Sequence, residues 1–140
     1  MEIPLNINSL KDEGVITLDE SVNITGAMDS MHDADVWSLV VNRNGKPYGV
    51  VTERDMLRRC FRLDLDPSVL TIGEIMSYPL ITIEQDLAVG AALNLLMTDG
   101  IRRLFVVDKK GALIGRVTQT QCLKGTLELI MGMQQVFEQR

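Results

Sequence analysis

The sequence is poor in the residue types that build metal and catalytic sites. It has one histidine, two cysteines and 4% aromatic residues among its 140 residues. One histidine and two cysteines do not make a structural zinc site. Cys60 and Cys122 lie far apart, so we expect both to be small helix residues in a reducing cytoplasm, with a disulfide as the less favoured alternative. We expect His32 to be a solvated residue at a helix end. No set of nucleophile, base and orienting group is visible, and we therefore predict no enzyme activity.

The sequence also lacks an excess of basic charge and any long hydrophobic run. Its net charge is −5 and its pI is about 4.8, which argues against a nucleic-acid partner. No apolar stretch approaches the roughly 20 residues that cross a bilayer. Residues 1–9 show neither a basic segment nor an apolar core of a signal peptide. We predict a globular, cytoplasmic protein that does not contact membranes.

A repeated motif organises the chain. The stretch Gly49–Asp55 returns in degraded form as Gly115–Gln121, with the two threonines 66 residues apart. Apolar positions elsewhere match at nearly the same offset, which predicts two homologous repeats over residues 1–66 and 67–140. About 60 residues is a marginal size for an independent core. We therefore expect the repeats to pack sheet to sheet as pseudo-symmetric halves, with candidate ligand clefts along their interface.

Apolar periodicity and turn residues predict a mixed α/β (α+β) fold in which each repeat has the order β-α-β-β-α. The first two strands of a repeat should be parallel and the third antiparallel to the second. Predicted strands cover 14–18, 36–41, 47–51, 80–83, 103–107 and 112–117. Predicted helices cover 21–33, 53–62, 86–98 and 119–135, with helical turns at 8–12 and 72–76 and a linker at 63–70. Helical spacing predicts that several apolar side chains point inward, namely Ile24, Ala27, Met28, Met31, Met56, Leu57, Cys60 and Phe61.

Three stretches, taken in order, resemble a tandem pair of cystathionine-β-synthase (CBS) domains, also called a Bateman module. They are Gly49–Asp55, Ile75–Thr82 and Gly100–Asp108. The resemblance implies a stand-alone regulatory module that binds AMP, ADP, ATP or S-adenosylmethionine and requires no cofactor. It also implies a homodimer formed through the helices at 21–33, 53–62 and 86–98, and a regulated partner protein that the sequence does not identify.

The resemblance assigns roles to the first copy of the motif. Asp55 takes the ribose hydroxyls, and Thr52 sits beside the phosphates or the ribose. Arg102 or Arg103 from the other half meets the phosphates, with Arg54 assisting. The adenine slot is expected among apolar residues of strand segments, namely Val50, Val51, Leu80 and Ile81.

Simpler structural roles fit the same residues. Thr52 and Asp55 have the spacing of a helix capping box, and so have Thr118 and Gln121. The valines and leucine of the proposed slot are equally typical of a core, and the arginines of a solvated rim. These alternatives stay open at the level of sequence.

The second copy departs from the pattern because Gln121 stands where an aspartate is expected. The half facing it presents Val36-Trp37-Ser38 in place of the two arginines, and Trp37 is a stacking residue, a core residue or a dimer contact. We predict one good site and a second, weaker or empty site at Ile16, Trp37, Ser38, Thr118 and Gln121. The alternative function is a ligand-free scaffold for protein interaction or dimerisation.

Overall fold

Strands and helices follow one another in the predicted order. The computed structural model describes residues 11, 14–98 and 103–138, so the helical turn predicted at 8–12 lies outside this range except for its residue 11. The first elements are β1 (Thr17–Asp19), α1 (Ile24–Ala34), β2 (Ser38–Arg43), β3 (Lys46–Thr52) and α2 (Glu53–Met56), which continues as a π-helical turn (Leu57–Phe61). The remaining elements are α3 (Ile72–Ile75), β4 (Thr82–Glu84), α4 (Val89–Thr98), β5 (Arg103–Val107), β6 (Leu113–Thr118) and α5 (Gln119–Glu138).

Two three-stranded sheets form, β1-β2-β3 and β4-β5-β6. In each sheet the first pair is parallel and the second pair antiparallel, as predicted. The first hairpin turns at Asn44 and Gly45, with φ of 54° and 75°, the left-handed conformation that a tight hairpin requires. The mixed α+β class and its repeated order are therefore confirmed.

Each sheet has its own hydrophobic core. Residues 14–80 form one compact unit, and the described residues from Ile81 onward belong to a second. The first core joins α1, the sheet and α3 through Ile24, Ala27, Met31, Leu39, Val41, Val51, Met56, Cys60, Ile72, Ile75 and Met76. The second core is smaller and consists of Ile83, Ala92, Leu96, Leu104, Val106, Val117 and Cys122. Both cysteines are buried and free, as expected.

Three apolar side chains predicted to point inward are exposed instead. Met28 is 41% exposed, Leu57 60% and Phe61 41%. Helix α1 already covers the sheet with Ile24, Ala27 and Met31, and α2 with Met56 and Cys60. Because each helix has only one side against its sheet, the additional apolar residues are left facing away from the core.

The end of the predicted linker and the start of α3 are bonded to the residues around the start of α1. The backbone N–H of Ile24 donates to the carbonyl of Leu70 at 2.9 Å, and that of Ile72 donates to Val22 at 2.9 Å. The Asn23 side-chain amide also donates to Ser68 at 3.1 Å. The compact units therefore divide after Leu80, and the predicted repeat boundary at residue 66 stays a prediction.

Helix α5 extends beyond its predicted end to Glu138. Gly125 and Gly132 do not interrupt it, and both are buried. The side chains of Leu123, Leu127 and Ile130 are exposed along it. Neither α5 nor any other helix in the described part of the chain is long and apolar enough to span a bilayer.

Candidate functional site

The motif threonine and aspartate of the first copy form a complete capping box. Thr52 is the N-cap of α2, and its backbone N–H donates to Asp55 Oδ2 at 2.9 Å. The Thr52 hydroxyl lies 3.1 Å from the same oxygen, and the Asp55 N–H donates back to the Thr52 hydroxyl at 3.2 Å. This reciprocal arrangement satisfies two of the N–H groups at the start of the helix. The structural role weighed for these residues is therefore present.

The capping box uses only one oxygen of the Asp55 carboxylate. Oδ2 takes the contacts from Thr52, whereas Oδ1 has no hydrogen-bond partner among the described residues. The Asp55 side chain is half-buried at the start of its helix. Oδ1 is therefore an anionic acceptor with free lone pairs, and an ionised carboxylate accepts stronger hydrogen bonds than a neutral group.

The second copy builds the same box with an amide. The Thr118 N–H donates to Gln121 Oε1 at 2.8 Å, and the Gln121 N–H donates to the Thr118 hydroxyl at 3.4 Å. Because a backbone N–H can only donate, the oxygen of the Gln121 amide must face Thr118. The NH2 group of the Gln121 amide therefore takes no part in the cap. This group donates hydrogen bonds and carries no charge.

A short segment lies against the outer edge of β3, beside the first motif. The Val50 N–H donates to Ser77 at 3.0 Å, the Ser77 N–H donates back to Val50 at 2.9 Å, and the Leu80 N–H donates to Tyr48 at 2.8 Å. A Cβ added at Gly49 would lie 2.8 Å from both Met76 Sδ and the Ser77 carbonyl. The motif glycine is thus required by the close approach of this segment, and the backbone groups of Val50 are already paired.

The other residues predicted for the first site fall into three groups. Within the first unit, Val51 is a core residue, Val50 and Leu80 are half-buried, and Arg54 is exposed. Ile81, 43% exposed, and Arg103 belong to the other unit, where Arg103 pairs with Thr118 across the β5–β6 ladder. Arg102 lies outside the described residues.

The residues predicted for the second site are likewise divided. Ile16, Trp37 and Ser38 belong to the first unit, and Thr118 and Gln121 to the other. Ser38 is buried and pairs with Thr52 in the first sheet. Arg103 pairs with Thr118 at the equivalent position of the second sheet. Trp37 is 70% exposed, so of its alternatives the core position is excluded.

Arg59 contributes to this region, although Arg58, Arg59 and Arg62 have the helical spacing that predicts a solvent face for most of them. Its Nη1 donates to the carbonyl of Ile75 at 2.7 Å and lies 3.3 Å from that of Met76. These carbonyls end α3, where a cationic donor is favourable. No local sequence signal reveals this bond, because donor and acceptor are 16 and 17 residues apart.

An apolar groove of about 300 Å³ opens between the end of α1 and the start of α2. It lies in the first unit, and its walls include Met28, Trp37, Leu57 and Phe61. His32 lines its rim and is exposed, as predicted. Exposed apolar clusters of this kind mark interaction surfaces.

A polar and aromatic cluster closes the opposite end of the first sheet. Arg43 Nε donates to Glu20 at 2.6 Å, and its guanidinium lies 4.2 Å from the ring centre of Tyr48. Tyr48 in turn lies 5.5 Å from Tyr78, centre to centre. The hydrogen bond to Glu20 raises the pKa of Arg43, which stays charged.

Chemically reactive groups are scarce around these features. Burial raises the pKa of the Cys60 and Cys122 thiols, which keeps them protonated and unreactive. Among the residues that the structure describes, no cluster of histidine, cysteine and acidic side chains is suited to hold a metal ion. The motif regions offer hydrogen-bond acceptors and donors for a ligand.

Comparison with known proteins places these features in a family. The family model for the CBS domain matches residues 7–62 and again residues 72–128. An uncharacterized protein of Methanopyrus kandleri is 40% identical over 86 residues, which are 61% of this chain and 44% of that protein. The matched segment thus spans less than half the length of that relative.

Solved structures with the same fold include a CBS-CP12 protein and the cytosolic domain of a Mg²⁺ channel. The hexameric CBS-CP12 protein of bloom-forming cyanobacteria superposes with a TM-score of 0.74 and 25% identity, covering 87% of this chain and 68% of that one. The cytosolic domain of the Mg²⁺ channel MgtE, solved in complex with ATP, gives a TM-score of 0.72 at 21% identity and covers 86% and 48% of the two chains. The two matches to the family model extend over most of the sequence, and the chain therefore belongs to the CBS-domain family and carries two copies of the domain.

Proposed function

We propose that this protein is a regulatory module that binds an adenine-containing ligand (AMP, ADP, ATP or S-adenosylmethionine) with Asp55 as the group that holds the ribose. The observation that carries the proposal is the free Oδ1 of Asp55. The capping box fixes the carboxylate through Oδ2 and leaves Oδ1 as an oriented anionic acceptor. The two neighbouring hydroxyls of a ribose can donate hydrogen bonds to such a carboxylate. Acidic residues bind ribose hydroxyls in this way in dinucleotide-binding folds.

Two further observations support this proposal. The chain consists of two CBS domains, and a structural relative of the same fold was solved with ATP. Val50 and Leu80 are half-buried apolar residues near the motif in the same unit, which suits one wall of an adenine slot. The contributions of Ile81, Arg54 and of Arg102 or Arg103 stay predictions, as does the sheet-to-sheet packing of the repeats.

The second copy is proposed to bind such a ligand weakly or not at all. Gln121 directs an uncharged NH2 group outward where Asp55 directs an anionic oxygen. Replacing a charge-assisted bond by a neutral one roughly halves its strength. The contributions of Ile16, Trp37 and Ser38 to this second site stay predictions.

A thermal-shift screen with AMP, ATP, S-adenosylmethionine and methylthioadenosine tests the proposal. At a hundred times its dissociation constant a ligand adds about 2.7 kcal/mol to the stability of the folded state. We expect at least one of these compounds to raise the melting temperature of the wild type by several degrees. Asp55→Ala should abolish the shift, whereas Gln121→Ala, the matched change in the second copy, should retain it.

A ligand-free scaffold is the second candidate function, and a specific observation favours it. Both motif copies serve as complete capping boxes, so their residues have a structural use without any ligand. If none of the four compounds shifts the melting temperature, the scaffold is the better account. A shift that Asp55→Ala removes rejects it.

We further propose that the protein is a homodimer that acts on a partner protein. The exposed apolar residues Met28, Trp37, Leu57 and Phe61 lie on the predicted interface helices or beside them. Leu57→Arg should convert the dimer to a monomer in size-exclusion chromatography with light scattering. Leu127→Arg, at an equally exposed leucine of α5, is the control. Dissociation by Leu127→Arg alone would move the interface to α5 and contradict the predicted one.

A further inference from the structure

The helix that carries Asp55 also carries Arg59, one turn further along. Asp55 lies in α2, and Arg59 lies in the π-helical turn that continues it. The backbone bond from Arg62 N–H to the Leu57 carbonyl, 2.8 Å long, spans five residues and widens this part of the helix. Such π-helical turns within α-helices recur at functional sites.

Arg59 connects this helix to the end of α3. Its guanidinium donates to the Ile75 carbonyl at 2.7 Å and approaches the Met76 carbonyl at 3.3 Å. The other end of α3 is held by backbone bonds from Ile72 to Val22 and from Gly73 to Glu20. Among the described residues of α2 and the π-helical turn that continues it, Arg59 is the only one whose side chain bonds to the last carbonyls of α3.

The segment that follows α3 is the one that lies on the edge of β3. Ser77 exchanges two backbone bonds with Val50, and the Leu80 N–H donates to Tyr48. Val50 is two residues before Thr52, the cap of α2. These contacts close a ring that runs from β3 through the cap and α2 to Arg59, then through Ile75 and Ser77 back to β3.

We propose that Arg59 is a positioning residue that holds the segment 76–80 against β3 and so fixes Leu80 relative to Asp55. The proposal rests on the proposed function only for its effect on ligand affinity. Its effect on the segment follows from the contacts alone. Arg59 does not itself contact the ligand in this account. The bond is charge-assisted and its acceptors are backbone carbonyls, so its loss frees the start of the segment without emptying the core.

Amide hydrogen exchange without ligand is the first test. Arg59→Ala should speed exchange of the Ser77 and Leu80 amides about tenfold through local opening. The amide of Ala27 in α1, bonded to the Asn23 carbonyl, should keep its rate. Arg59→Lys keeps a cationic donor and should restore most of the protection. Arg58→Ala is the matched control, because Arg58 is exposed in the same turn and its side chain has no hydrogen-bond partner in the described part of the chain.

Affinity for AMP is the second test, on the same four proteins. Arg59→Ala should weaken AMP binding about tenfold, the effect of losing one well-placed bond near a site, while Arg58→Ala leaves it unchanged. Unchanged exchange at Ser77 and Leu80, or equal acceleration at Ala27, would overturn the positioning role. Local opening with unaltered AMP affinity would overturn its link to the site. A wild type that binds no AMP would count against this proposed ligand, and the exchange data would still decide the role of Arg59.

Discussion

The two motif copies have the same backbone geometry and different outward chemistry. In the first, Thr52 and Asp55 cap α2, and in the second, Thr118 and Gln121 cap α5 through the equivalent atoms. What remains after capping is a carboxylate oxygen in one copy and an amide NH2 in the other. The capping role therefore explains why both copies keep a polar residue at this position, but it does not explain the carboxylate of Asp55.

This difference distinguishes two roles of the motif, namely capping the helix and the proposed binding of a ligand. An amide caps the helix as an aspartate does, since the cap needs only one acceptor oxygen. Holding a ribose diol benefits from the negative charge and from an outward acceptor, which only Asp55 supplies. Substitutions that spare the cap while changing the outward atom can therefore test the ligand role by itself.

The largest expected effect on stability concerns the glycine of the first copy. In Gly49→Ala the added methyl would meet the Ser77 carbonyl and Met76 Sδ at 2.8 Å, so the segment beside β3 must move. We expect a loss of about 1–3 kcal/mol in the free energy of unfolding, measured by urea denaturation. Gly90→Ala is the opposite control, because Gly90 is an exposed residue of α4 and an added Cβ would meet open space there. It should stabilise the protein by about 0.5–1 kcal/mol, and a loss of stability there would contradict this account.

Removal of the cap hydroxyls should affect both copies alike. Thr52→Ala and Thr118→Ala each remove the acceptor for an N–H at the start of a helix. Each should cost about 1 kcal/mol of unfolding free energy, measured by urea denaturation without ligand. A clear cost in one copy and none in the other would show that the two boxes are not equivalent.

The smallest expected effect comes from giving the second copy the charge of the first. In Gln121→Asp a carboxylate would stand in the first turn of α5, where the helix dipole favours negative charge. Thermal unfolding at low salt should show a gain of about 0.3–1 kcal/mol that fades at high salt. A gain that persists in 1 M salt would assign the effect to packing instead of charge, taking the Debye length there as about 3 Å.

Much of the fold could be predicted because its determinants are local or repeated. The spacing of the two motifs predicts the duplication, and an Asn-Gly pair such as Asn44-Gly45 is typical of the hairpin that joins β2 to β3. The capping boxes follow from residues three apart. The capping pair at the candidate site was therefore visible in the sequence.

The features that escaped prediction depend on distant contacts. Arg59 bonds carbonyls 16 and 17 residues away, and the backbone of Val50 is paired by Ser77. Helical spacing marks apolar residues but does not say how wide a face the sheet can cover, which is why Leu57 and Phe61 were wrongly assigned to the core. Val51 is buried in the first core, the alternative role that the sequence offers for it, and its contact with an adenine stays a prediction.

The central claim is that the Asp55 carboxylate holds a ligand and that Gln121 does not. Isothermal titration calorimetry with AMP on the wild type and on Asp55→Asn tests it most directly, because asparagine keeps an acceptor for Thr52 but removes the charge. We predict one AMP per wild-type chain and a loss in affinity of at least about tenfold in Asp55→Asn, with little change in melting temperature. Two equivalent AMP molecules per chain, or the same affinity in both proteins, would contradict the claim.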